Sequence, residues 1–243
     1  MNIQSPLSKN PLGETIHLTI DDIVLEGKMY LPKSPQGIIL CVCGGVSHTG
    51  PLANAVLKTF YNNDFGVLVF GLLTDEENLI YGNHFDTELL TQRLLAATNW
   101  VISTLKKKKI PMGYFAVYTG AAAAIKASFA FDQKISTIVS YDGRLDLVND
   151  LLKFVKIPTL ILVDTNNKEM IKIGRDAYKE FGDEVQRNLL TISGASLLSE
   201  SSENMNTILE PALIWFKKEF KKKPTSNIGT SRVLISKSAI AED

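Results

Sequence analysis

Short, continuous apolar runs separated by stretches of helical periodicity constrain this chain more than any other feature. The runs are "GIILCVC" (37–43), "GVLVFGL" (66–72), "GYFAVY" (113–118), "ISTIVSY" (135–141), "PTLILVD" (158–164) and "NLLTIS" (188–193). Strands apolar on both faces belong in a parallel sheet covered by helices on both sides. Ahead of them, "ETIHLTI" alternates, with Ile16, Leu18 and Ile20 on one face, and "IVLEGKMYL" follows after the turn "DD". That is an antiparallel N-terminal hairpin. Between the runs, Leu90, Leu94, Ala97, Val101 and Leu105 recur at helical spacing, as do Ile208, Ala212, Trp215 and Phe216 near the end. The pattern predicts an α/β fold with a mostly parallel, doubly wound sheet.

The chain has 243 residues, 45% of them apolar, which suits one α/β domain with a sizeable core. Lys+Arg and Asp+Glu both number 26, so no excess charge draws the chain to nucleic acid or an anionic membrane. Cys41 and Cys43 are the only cysteines. Two apart on a strand, they share a face but are poorly placed to bond to each other. No disulfide framework is available, no signal-peptide order opens the chain, and no apolar run reaches a membrane span. A cytoplasmic protein without a membrane span is the expectation. The divisions expected are an N-terminal extension (1–12), one domain (13–222) and a flexible C-terminal tail (223–243). Within that tail "RVLIS" carries enough β-branched residues to add a strand to a partner's edge. The basic run Lys106–Lys109 is a candidate partner contact or a solvated surface.

The stretch "FAVYTGAAAA" (115–124) has the form of a strand running through a tight turn into a small-residue helix. In the G-x-S-x-G elbow, small neighbours let the backbone bend while the central serine is lifted above the sheet. Here Ala116, Tyr118 and Gly120 take those positions. Further stretches in the same order are "LPKSPQGIILCVCGG", "VFGLLTDEE", "FDTELLTQRLLAATNWV", "VSYDGRLDL", "IPTLILVD" and "ISGAS". Together they resemble the dienelactone-hydrolase-like branch of the α/β-hydrolase superfamily over roughly residues 24–220. The resemblance implies the α/β-hydrolase fold and places a serine nucleophile at Tyr118, an acid at Asn167 and a histidine at Leu197. It also puts Cys43, before Gly44, where an oxyanion-side histidine often stands, and Phe70-Gly71 where the branch has Phe-Asp.

A count reinforces this departure. The histidines are His17, His48 and His84, and none follows residue 84, whereas the hydrolase base comes last in chain order. Removing triad members costs roughly four to six orders of magnitude in rate.

Other groups could stand in. Tyr118 is a phenol with an ordinary pKa near 10, and a bulky residue there is expected to resist positive φ and relax the turn. Cys43 is the better nucleophile by chemistry, with the "GG" amides beside it and His48 five residues on. Asp142 and Asp164 follow strands and could approach the same place, Asp142 also reading as a turn residue. Asp75, Glu76 and Glu77 form an acidic cluster with His84 nearby, short of a ligand set for a metal. No phosphate loop, dinucleotide fingerprint or zinc spacing is present.

The sequence is therefore read as a catalytically degenerate hydrolase homologue with no intact catalytic residues, no cofactor and no metal. Its vestigial pocket comprises Cys43, Gly44, Gly45, His48, Tyr118, Thr119 and Asp142. It would bind a small molecule there, or act as an assembly or regulatory subunit with a protein partner or a second copy. The alternative is a weak esterase, lactonase or thioesterase using Cys43 or Tyr118.

Overall fold

The computed structural model describes residues 13–20, 22–45, 50–105, 110–131, 134–193 and 202–222. His48, Leu197, the Lys106–Lys109 run, the extension 1–12 and the tail 223–243 lie outside the described residues.

Eight strands form one sheet. They are β1 (Glu14–Ile20), β2 (Ile23–Tyr30), β3 (Ile38–Cys43), β4 (Gly66–Gly71), β5 (Met112–Val117), β6 (Ile135–Tyr141), β7 (Thr159–Asp164) and β8 (Arg187–Ile192). Their order is β1-β2-β4-β3-β5-β6-β7-β8. β1 and β2 pair antiparallel, β2 lies antiparallel to β4, and every later pairing is parallel. The fold class and the N-terminal hairpin follow the expectation from the sequence, with Ile20 opposite Ile23 across the expected turn.

The central strands are apolar throughout because helices cover both faces. Every residue of β3, β4, β5 and β7 is buried. One face packs against α3 (Thr87–Leu105), α4 (Thr119–Ser128) and α5 (Lys168–Glu180), and the other against α1 (Pro51–Tyr61) and α6 (Ser202–Phe220). Leu90, Leu94, Ala97 and Val101 are the buried stripe of α3, while Leu105 is half-buried. In α6, Ile208, Ala212, Trp215 and Phe216 are buried as their spacing implies. Trp215 Nε1 donates to Thr137 Oγ1 at 2.7 Å, and that hydroxyl donates to the Pro158 carbonyl at 2.8 Å, tying the last helix to β6 and the approach to β7. Cys41 and Cys43 are both buried thiols, not joined in a disulfide, on the α1/α6 face. The sulfur hydrogen bond with Cys43, then burial, hold the Cys41 thiol well above its ordinary value.

All the parallel strands end at one edge of the sheet, and there the loops carry the residues that the sequence singled out. Among the described residues no helix is long and apolar enough to cross a membrane.

Candidate functional site

The elbow is fully formed. β5 ends at Val117, α4 begins at Thr119, and Tyr118 between them has φ 51° and ψ −125°. Few non-glycine residues adopt such angles, and the cost is about 1–3 kcal/mol. The expectation that a bulky residue would relax the turn is overturned. What holds it is the backbone around it. The Tyr118 N–H donates to the Tyr141 carbonyl at 3.2 Å, and the Tyr118 carbonyl accepts from Ala121 N–H and Arg144 N–H, both at 3.1 Å.

Small residues let the neighbouring chains close on this turn. A Cβ on Gly120 would come within 2.7 Å of the Val42 carbonyl oxygen, and one on Gly44 would collide with the Thr119 hydroxyl. The Thr119 side chain therefore fills the space above Gly44, at the end of β3. As the first residue of α4, Thr119 also presents an amide that has no partner inside its own helix. In the hydrolase arrangement the amide after the nucleophile is half of the oxyanion hole.

At the tip stands the Tyr118 ring, 44% exposed. Burial, then Asp142, Asp164 and Cys43, raise its phenol above the ordinary value. All three neighbours oppose a phenolate, so the hydroxyl stays protonated at neutral pH and is a poor nucleophile. Tyr141 beneath it is fully buried and shifted the same way, with burial again first.

The carboxylates sit below the tip. Asp142, 3% exposed, follows β6 at φ 44° and accepts the Asp164 N–H on Oδ1 at 2.9 Å. Burial raises its pKa, the Asp164 amide opposes that, and the Asp164 charge adds to it. Asp142 is thus more than a turn residue: it bridges the ends of β6 and β7. Asp164 turns its own Oδ1 to the Asn166 amide at 2.9 Å. Asn167, where the resemblance places an acid, caps α5, accepting the Met170 N–H at 3.2 Å. An amide side chain used this way supports a helix and moves no proton.

A second wall comes from the excursion after β4. The short helix α2 (Asp75–Asn78) opens with a reciprocal capping box between Thr74 and Glu77, and a 3₁₀ turn (Tyr81–Phe85) follows. Glu77 also pairs with Arg93 at 2.9 Å, and His84 Nε2 meets the Asn78 carbonyl at 2.9 Å. The expected acidic cluster is therefore divided: Glu77 anchors the segment, while Glu76 is exposed. Asn78 and His84 close on the oxyanion-side loop, since a Cβ on Gly45 would lie 2.9 Å from Asn78 Oδ1 and 3.5 Å from His84 Cε1. Nothing in the spacing shows that His84 reaches this loop, 39 positions away along the chain. Nor does it show that Arg144 grips Asp146 at 2.7 and 2.9 Å and lies 5.5 Å over the Phe85 ring. Among the described residues no group of three metal-ligating side chains forms.

The structure brings together Cys43, Gly44, Thr119, Tyr118, Asp142 and Asp164 at the ends of β3, β5, β6 and β7. Gly45 joins them through His84.

No protein-family profile matches the chain. A protein of Mycobacterium tuberculosis named "Putative phosphoribosyl transferase", from strain H37Rv, is 30% identical over 204 residues. Its counterpart in strain CDC 1551 matches equally. The alignment covers 84% of this chain but 46% of either relative, so the chain spans about half the length of the curated relatives it matches. Among solved structures, dienelactone hydrolase from Anabaena variabilis superposes with a TM-score of 0.75 at 27% identity, over 85% of this chain and 97% of that one. An esterase domain from Rhodothermus marinus reaches 0.66 at 13% identity, over 85% and 99%, a likeness of fold alone. The fold is that of the α/β-hydrolases, in the form of the dienelactone-hydrolase-like branch.

Proposed function

We propose that this α/β-hydrolase-fold chain, with its likeness to dienelactone hydrolase, works by binding rather than by Ser-His-Asp hydrolysis. The observation that carries the reading is Tyr118: the elbow is built and strained as for a nucleophile, yet its tip holds a phenol kept protonated by burial and two carboxylates. Asn167 as a helix cap and the lack of any histidine after residue 84 support the same reading. An elbow without nucleophile, acid and base keeps an amide donor at Thr119 beside the exposed Tyr118 ring. Those groups can meet a small molecule without turning it over.

The part it plays is that of an assembly or regulatory subunit. More than half of each transferase-named relative lies outside the match. A hydrolase-fold unit joined to further chain in those relatives supports a working partnership here with a phosphoribosyl-transferase-type protein.

The test is hydrolysis of a short-chain activated ester by the purified protein, beside Tyr118→Phe and Cys43→Ala. Background rates for all three are expected. A rate clearly above background that one substitution abolishes would overturn the binding reading and identify Cys43 or Tyr118 as the nucleophile.

A further inference from the structure

β8 ends the sheet, with β7 its only neighbour among the described residues. Alternate N–H and C=O groups of such a strand face away from the sheet, a template for any extended segment. Natural edges are blunted by proline, lysine or a bulge. β8, "RNLLTI", has neither proline nor lysine, and its register with β7 runs unbroken from Arg187 to Ile192. At its centre are two leucines, of which Leu190 is 37% exposed.

The described chain ends beside the start of that strand. In the last turn of α6, Glu219 Oε1 accepts from Gln186 Nε2 at 2.9 Å, and Lys222 Nζ donates to Gln186 Oε1 at 2.5 Å. Gln186 immediately precedes β8. The sequence continues past Lys222 with nine residues, 223–231, and then Arg232-Val233-Leu234-Ile235-Ser236. Nine extended residues reach about 30 Å. A six-residue strand is about 20 Å long, so the segment can lie along any part of β8.

We propose that Arg232–Ser236 docks on the free edge of β8 of its own chain, as a ninth strand. Val233 and Ile235 fall on one face and Leu234 on the other, as a two-sided edge position requires. A second copy pairing β8 to β8 is the competing occupant. A tethered segment has an effective concentration of about millimolar, well above that of a second copy in dilute solution. The proposal stands on the edge and the chain path, whatever the site binds.

Amide hydrogen exchange over residues 187–192 tests it, in the full-length protein and a Val233→Pro/Ile235→Pro double variant. Proline removes the donor that an added strand needs. The outward amides of β8 are expected to exchange at least about tenfold faster in the variant, at any protein concentration. Equal exchange in the two proteins would overturn the proposal. So would protection that rises with protein concentration, which would assign the edge to a second copy.

Discussion

The turn after β5 and the loop after β7 stand at the same edge of the sheet, and the resemblance places Tyr118 in the first at a serine position and Asn167 in the second at an acid position. They are built in opposite ways. After β5 the backbone keeps the strained angles of a nucleophile elbow although a tyrosine has to adopt them. After β7 the side chain at the acid position does ordinary work, closing the first turn of α5. The elbow is specified from outside, by the bonds of Tyr141, Ala121 and Arg144 and by the close approach of β3. The Asn167 position is held by its own helix and by one bond back to β7, its N–H donating to the Asp164 carbonyl at 3.0 Å.

If that is right, the two regions answer differently to substitution. The largest effect is expected at Gly120. Glycine to alanine inside a helix ordinarily stabilises by about 1 kcal/mol. Here the added methyl meets the Val42 carbonyl, so Gly120→Ala is expected to destabilise by about 2 kcal/mol in urea unfolding. A gain in stability would mean that β3 does not clamp the elbow. Next is Tyr118, compared between two truncations that both remove the ring. Tyr118→Gly is expected to be more stable than Tyr118→Ala by about 1 kcal/mol, because only glycine tolerates φ 51° freely. The opposite ranking, read from thermal midpoints, would mean the turn had relaxed. The smallest effect is at the acid position, where Asn167→Ala should cost about 1 kcal/mol or less. Asn167→Asp should cost almost nothing, since either side chain caps a helix. A loss of several kcal/mol from either, by the same unfolding assay, would show that the loop after β7 is held as tightly as the elbow.

The sheet was legible because its strands are buried on both faces. "IILCVC" is apolar throughout and "TLILVD" is polar only at its two end residues, so their ends fall within a residue of the expected ones. The elbow was legible from Gly120 and the alanines after it, which only a tight strand–helix contact requires. Its strain was not. Local preference argues against a tyrosine at positive φ, and the bonds that override it come from Tyr141 and Arg144, more than twenty residues away in sequence. The same holds for His84 against Gly45 and Arg144 over Phe85, where neither spacing nor composition records the encounter. Asn167 carried a readable signal, an Asn opening "KEMIKIGRDAYKE", but the resemblance drew attention to its alignment with an acid instead.

The three backbone hydrogen bonds around Tyr118 have an evolutionary consequence. None of them involves the side chain. A scaffold that fixes the angle while leaving the substituent unspecified separates inheritance of form from inheritance of chemistry. The side chain at position 118 can therefore change while the three bonds that set the angle stay in place.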